Sequence, residues 1–205
     1  MKVGILALQG DFAEHLQAIN QCGVDGVLIK RSQQLADIDG LIIPGGESTT
    51  IGKLLRRFEL LSPLRDAVRA GLPVYGTCAG MILLSNEVHE SASDQPVIGG
   101  MDIAVERNAF GSQVESFETD IDIPAVGAEP FRAVFIRAPA IRSVGPGVEV
   151  LARLADNTPV AARQRRMLVS SFHPELTDDG RVHQLFLDLV QSVVPCRQTA
   201  AAGEA

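Results

Sequence analysis

Residues 73–84, PVYGTCAGMILL, leave the backbone few choices. A short apolar run reaches Gly76-Thr77-Cys78-Ala79-Gly80 and continues at once into an apolar, helix-like segment. A strand that becomes a helix within so few residues needs a tight turn, and glycine two positions to either side of Cys78 permits one. This is the pattern of a nucleophile elbow, which lifts one side chain out at the end of a strand. It sets the Cys78 sulfur at a helix N-terminus, where the macrodipole favours the thiolate, the attacking form. A buried structural cysteine beside a glycine-rich turn is the ordinary alternative, and the rest of the chain decides between the two.

The first half alternates between strand and helix patterns. Residues 2–8 form an apolar run that predicts a strand buried on both faces. Over residues 11–21, Phe12, Leu16 and Ile19 recur at helical spacing, with Asp11 placed to cap the helix. Short strands are expected at 26–29 and 41–43, the second ended by Pro44-Gly45-Gly46. Ile51, Leu54, Leu55 and Phe58 make one stripe of a helix over 48–58. Another helix is expected over 63–70, stopped by Gly71, and Val74-Tyr75 then feeds the elbow. Such alternation predicts an α/β fold in which a mostly parallel sheet is covered by helices on both faces. Ligands in such sheets bind at the carboxyl ends of strands, where both the Pro44-Gly45-Gly46 loop and Cys78 fall.

The second half reads differently. Residues 86–100 are polar and weakly patterned, and strands with short turns are expected at 98–107, 113–117, 133–137, 148–155, 159–162 and 167–172. These would add antiparallel members to the sheet. An amphipathic helix is expected over 182–194, carrying Leu185, Phe186, Leu189 and Val190. Residues 1–194 therefore read as a single domain, and 195–205 as a mobile tail with too little apolar content to pack. With 205 residues, 46% of them hydrophobic and 21% charged, the chain suits one well-filled core and not a disordered polymer. A net charge of −7 argues against nucleic acid, which wants a basic face. No apolar run is long enough to span a bilayer. The three cysteines, Cys22, Cys78 and Cys196, lie far apart and form no disulfide framework. A reducing compartment is therefore expected, and with it a cytoplasmic location.

A second constellation follows the 167–170 strand: Ser171-Phe172-His173-Pro174-Glu175. His173 and Glu175 are two apart, so extended backbone would point both to one side. Pro174 keeps the segment out of a helix. An imidazole beside Cys78 would take its proton, and a carboxylate behind the imidazole would fix its tautomer. The other histidines, His15, His89 and His183, lack ligand-like spacing and read as surface or supporting groups. No metal and no cofactor is expected.

The third constellation is Pro44-Gly45-Gly46-Glu47-Ser48-Thr49-Thr50. It lacks the Gly-Lys-Ser/Thr ending of a phosphate loop. Glycine-rich backbone beside a thiol instead presents N–H groups to a developing oxyanion, with the amide of Ala79 as the natural second donor. Ser48, with Thr50 where an elbow would need its second glycine, reads as a helix N-cap.

Together these stretches resemble the class I, triad-type glutamine amidotransferases, and in particular the glutaminase subunits of pyridoxal 5'-phosphate synthase. The resemblance is carried by ILALQGDFAEH at 5–15, LIIPGGESTTIGKLL at 41–55, GTCAG at 76–80, RNAFGSQVESFE at 107–118, FIRAP at 135–139 and SFHPELTDDGRVH at 171–183. It covers nearly the whole chain except the tail. It implies a three-layer flavodoxin-like fold, with hydrolysis of L-glutamine to glutamate and ammonia through a glutamyl thioester. The ammonia would pass to a separate TIM-barrel synthase subunit that builds pyridoxal phosphate for vitamin B6 supply. Low activity alone and activation on docking, through a rearranged oxyanion loop, are also implied.

By motif match Cys78 would be the nucleophile, completed by His173 and Glu175, and the oxyanion would sit between Gly46 and Ala79. Gly46, Glu47, Ser48, Arg107, Ile136 and Arg137 would line the glutamine site. A guanidinium fork suits the α-carboxylate of glutamine, which agrees with the choice of Arg107 and Arg137. Ser112 departs from the family's usual arginine, and a partner contact there would differ. Two other readings compete: another cysteine hydrolase on a related α/β scaffold, and a non-catalytic regulatory module. The GGES loop and paired arginines weigh against the first, and the intact Cys-His-Glu set against the second.

Overall fold

The computed structural model of the chain describes residues 1–89, 95–107 and 116–193. Strands β1 (Lys2–Leu6), β2 (Asp25–Ile29), β3 (Gly40–Ile43) and β4 (Val74–Thr77) come from the first half. They are separated by helices α1 (Phe12–Gln21), α2 (Ser48–Arg57) and α3 (Leu61–Arg69). Helix α4 (Ala79–Leu84) leaves β4 directly, as the elbow pattern requires. The second half supplies β5 (Ser85–His89), β6 (Met101–Glu106), β7 (Ser116–Ile121), β8 (Phe131–Ile136), β9 (Ala140–Val144), β10 (Glu149–Arg153), β11 (Pro159–Gln164) and β12 (Met167–Ser170). Helix α5 (Arg181–Gln191) closes the described chain.

The central sheet has seven strands in the order β10-β11-β12-β4-β3-β1-β2. β1, β2, β3, β4 and β12 run parallel, while β10 and β11 are antiparallel additions. Side chains alternate strictly across it. Leu41 and Ile43 of β3, Val74 of β4 and Val169 of β12 pack on one face. Ile42, Tyr75 and Leu168, between them in sequence, pack on the other. Both faces are buried because α2, α3 and α4 cover the first, through Ile51, Leu55, Leu64 and Met81. α1 and α5 cover the second, through Ile19, Phe186 and Val190. This is why the parallel strands read as unbroken apolar runs. No helix among the described residues is long and apolar enough to cross a membrane.

The second half departs from expectation in one respect. Its strands do not all extend the central sheet: β5, β6 and β9 form a separate three-stranded sheet, and β7 and β8 a two-stranded one. β5 and β9 gave no strand pattern of their own, because β5 reads buried–exposed–exposed and β9 ends in three exposed residues. Each is held by its partner and not by a buried face of its own. The 113–117 strand starts at Ser116; residues 113–115, like Ser112 and the expected tail, lie outside the described residues.

Close backbone approach explains both elbow glycines. A Cβ on Gly76 would stand 2.6 Å from the Gly80 carbonyl carbon, and one on Gly80 would collide with the Ile43 carbonyl oxygen of β3. Gly80→Ala should therefore lower stability by about 2–4 kcal/mol, as overpacking against rigid backbone does. Urea unfolding checks it: an unchanged midpoint would mean that α4 does not press on β3.

Candidate active site

Parallel pairing brings four strand ends to one edge. Ile5 pairs with Ile42, Ile43 and Val169 with Gly76, and Ser170 with Thr77. The loops that follow β1, β3, β4 and β12 therefore meet, and they carry Gln9-Gly10-Asp11, Pro44-Gly45-Gly46, Cys78 and His173 respectively. Cys78 has φ 47° and ψ −102°, a strained conformation for a residue with a side chain. Its amide donates to the Ser170 carbonyl at 2.8 Å, which ties the elbow to β12. The cysteine is only 7% exposed.

His173 approaches from the far side of β12. Its amide donates to the Val134 carbonyl of β8 at 2.8 Å, and it precedes a 3-10 turn over Pro174–Leu176. That turn, not the extended backbone expected from the sequence, folds Glu175 back onto the ring. His173 Nδ1 and Glu175 Oε1 are 2.7 Å apart, and both side chains are buried. Nε2 of the same ring is buried with no hydrogen-bond partner among the described residues. It is the nitrogen left to exchange protons with a neighbour.

Asp11 behaves differently from expectation. It precedes α1 but makes no side-chain capping bond. Its carboxylate lies 3.4 Å from His173 Nδ1 instead, giving that nitrogen a second anionic neighbour. Burial acts to lower the His173 pKa, but its neighbours Asp11, Cys78 and Glu175 outweigh it and push it up to about 12. The imidazolium form is thus strongly favoured. The hydrogen bond to His173 lowers the Asp11 pKa, while burial raises that of Glu175 against the pull of His173. Asp11, His173 and Glu175 offer ligand atoms within 4.8 Å of one another, but the short Nδ1 contact already engages Glu175.

The Gly45-Gly46 turn packs against this ring. A Cβ on Gly45 would run into His173 Cε1, and Gly46 has φ 145°. The Gly45 carbonyl accepts the Asp11 amide at 3.3 Å, and the Glu47 amide donates to Gln9 Oε1 at 2.8 Å. Glu47, not Ser48, caps α2: its carboxylate accepts from the Thr49 amide at 3.1 Å and the Thr50 amide at 2.6 Å. The longer Glu side chain reaches these amides from one residue earlier, and Ser48 is left buried, accepting from Gln95 Nε2 at 3.1 Å. Arg107 reaches the same loop and pairs with Glu47 at 3.0 Å. Ile136 and Arg137 are exposed at the end of β8, two and three residues past the carbonyl that holds His173, and Arg137 has φ 43°.

Sequence reasoning missed the groups behind the triad-like set. Of the two places expected for His15 and His183, surface or supporting, their full burial excludes the surface. His15 Nε2 lies 3.1 Å from Thr77 Oγ1 and 3.4 Å from Glu175 Oε2, and its Nδ1 lies 3.0 Å from His183 Nε2. Burial lowers the His15 pKa well below the usual value, and that of His183 to about 4, so both are neutral. The available signal was the four-residue spacing of Asp11 and His15 at the start of α1, which sets both on one side. His89, by contrast, is a surface group on β5. A recess of about 570 Å³ lined in part by Leu8, Lys30, Arg31 and Phe58 holds none of Cys78, His173 or Glu175.

Comparison with known proteins bears on the family and the fold. Residues 5–192 match the model of the SNO glutamine amidotransferase family. The chain is 58% identical over 191 residues to a pyridoxal 5'-phosphate synthase subunit PdxT of Frankia alni, covering 93% of this chain and 96% of that one. It is 60% identical over 190 residues to the PdxT subunit of Carboxydothermus hydrogenoformans, with 93% and 98% covered. A crystal structure of a glutamine amidotransferase superposes with a TM-score of 0.87 at 49% identity, over 92% of this chain and 98% of that one. A putative GMP synthase component from Thermoplasma acidophilum shares the fold, with a TM-score of 0.66 at 18% identity over 94% of each chain.

The Glu47 cap carries a pH signature. Burial acts to raise its pKa, but hydrogen bonds from Thr50 and Thr49 hold it down at about 2, against an ordinary 4.5. A depressed carboxylate stabilises the fold above its unfolded pKa, and that contribution is lost as pH falls through the folded value. Glu47→Ala should cost about 1 kcal/mol at neutral pH, a modest figure because a half-exposed group is screened by solvent. In urea melts the gap from wild type should narrow as pH falls from 4.5 toward 2. A gap independent of pH would show that the carboxylate is not the cap.

Proposed function

We infer a glutaminase from two facts taken together: the chain belongs to the SNO glutamine amidotransferase family, and Cys78, His173 and Glu175 share one sheet edge. It hydrolyses L-glutamine to L-glutamate and ammonia as the glutaminase subunit of pyridoxal 5'-phosphate synthase, the role named for relatives at 58% and 60% identity. The observation that carries the reading is the 2.7 Å contact of His173 Nδ1 with Glu175 beside a cysteine on a strained elbow.

The steps follow from which atoms are free. The Cys78 thiolate attacks the side-chain amide carbon of glutamine. The oxyanion is received by the Ala79 amide and by an amide of the Gly45-Gly46 turn. His173 delivers its Nε2 proton to the departing nitrogen, ammonia leaves, and a glutamyl thioester remains on Cys78. His173, now neutral, takes a proton from water as the water attacks the thioester. The intermediate collapses, expelling the Cys78 thiolate beside the reprotonated His173, and glutamate departs, releasing its carboxyl proton to water. Glu175 stays ionised and holds the ring through Nδ1, with Asp11 as a second anionic neighbour. Arg107 or Arg137 receives the α-carboxylate. Arg107 is spent on Glu47 at 3.0 Å, so its recruitment would release that loop.

Ammonia serves as a nucleophile only while unprotonated, so the partner is a synthase subunit that shields its transfer. By the resemblance, this partner is a TIM-barrel protein. The Gly45 carbonyl now engages the Asp11 amide, and activation on docking would redirect this peptide toward Cys78. Free cysteines, here Cys22 and Cys78, suit a reducing compartment such as the cytoplasm. Cys78→Ala should lower glutamine turnover by at least about a thousandfold in the presence of the synthase partner. Adding that partner to wild type should raise turnover. Activity retained in Cys78→Ala would refute the nucleophile, and a wild-type rate indifferent to the synthase would refute the coupling.

A further inference from the structure

We propose that His15 is a positioning residue for the glutaminase reaction: its Nε2–H anchors Glu175 Oε2, and His183 fixes it in the tautomer that can do so. The inference rests on the glutaminase reading above and goes beyond it to residues outside the Cys-His-Glu set.

The protons available in this closed space decide the tautomer. His15 and His183 meet Nδ1 to Nε2 at 3.0 Å, so one hydrogen lies between them. Burial keeps both rings neutral, so each carries a single N–H. Suppose His15 held its proton on Nδ1. Its Nε2 would then accept from the Thr77 hydroxyl and turn no proton toward Glu175 Oε2 at 3.4 Å. That oxygen, buried and with no hydrogen bond among the described residues, would have no positive N–H facing it either. His183 would have to carry its proton on Nδ1, which is also buried and unpartnered, leaving an orphan N–H.

The other arrangement gives each ring N–H an acceptor. His183 donates from Nε2 to His15 Nδ1. His15 donates from Nε2 to Thr77 Oγ1 at 3.1 Å, and the same N–H lies beside Glu175 Oε2, 3.4 Å from the nitrogen and outside hydrogen-bond geometry, as an electrostatic neighbour. Only a lone pair, at His183 Nδ1, stays bare, which is the lesser cost.

The consequence reaches the chemistry through two side chains. Thr77 immediately precedes the nucleophile, and Glu175 holds the ring that serves it. One N–H on α1 therefore sets the distance between the β4 elbow and the His173-Glu175 pair. With Oε2 anchored, Oε1 stays in line with His173 Nδ1, and Nε2 stays aimed at its work. His15 is fully buried and does not meet glutamine, so its loss acts on turnover and not on binding.

The test uses the complex with the synthase partner. His15→Leu keeps the volume but has no donor. His15→Gln sets an amide N–H near the former Nε2. His15→Leu should lower kcat by about 10–100-fold, the usual range for losing a group that orients a site residue. KM for glutamine should stay within about twofold, and His15→Gln should recover most of the loss. Equal impairment in both variants, or an unchanged kcat in His15→Leu, overturns the proposal. Long-range nitrogen–proton correlation spectra of the wild-type chain give an answer that does not depend on variant folding. They should show the proton on Nε2 of both His15 and His183; a proton on His15 Nδ1 overturns it. A wild-type complex with no glutaminase activity would fail the parent reading and leave this tautomer test separately decidable.

Discussion

The site depends on β4 being hydrogen-bonded on both sides by parallel strands. β3 and β12 flank it, with Ile43 and Val169 both registered to Gly76. A strand in that position can deliver a side chain only at its carboxyl end, and the loops leaving its neighbours must arrive at the same place. The elbow, the glycine turn and the histidine are thus gathered by backbone pairing before any side chain contributes. The Cys78 amide bond to Ser170 and the close pass of Gly80 beneath Ile43 lock the nucleophile to both neighbours. The strain at Cys78, φ 47°, is tolerated because the surrounding sheet overdetermines it.

Behind that edge the protein buries polar groups that a packed core would normally exclude. Glu175, His173, His15 and His183 are almost wholly removed from water, beside Tyr75 and Phe186. An isolated carboxylate there would be prohibitive, and it is offset by the imidazolium at 2.7 Å. The two further imidazoles stay neutral and extend the chain of contacts to α5. Such an arrangement contributes little net stability, since an apolar core of the same shape would do as well. Its value is a defined set of proton positions beside the sulfur.

Much of this was legible in the sequence. The elbow and the GGES loop each stated a local geometry, and strand–helix alternation placed both at strand ends, whereas the HPE segment gave the pairing of His173 with Glu175 but not the 3-10 turn that makes it. The parallel strands were readable because both faces are buried, so their runs are unbroken. β5 and β9 were not, since their places are set by partners in other parts of the chain. Asp11 shows the limit most clearly. Locally it is a sound helix cap, but a histidine 162 positions later in the sequence takes its carboxylate. Glu47 took the cap assigned to Ser48 because reach, not residue preference, decided it. Whether His15 and His183 were surface or supporting groups stayed open because only the folded sheet brings α1 and α5 to the same face of β4.

The central claim is that Cys78 forms an acyl bond with glutamine's carboxamide carbon. The most direct measurement is mass spectrometry of the chain after treatment with an electrophilic glutamine analogue bearing a chloroketone in place of the amide, with and without excess glutamine. The account predicts one adduct per chain, on the peptide containing Cys78, suppressed by glutamine and accompanied by complete loss of glutaminase activity. Labelling confined to Cys22 or Cys196, or full activity after stoichiometric modification of Cys78, would contradict it.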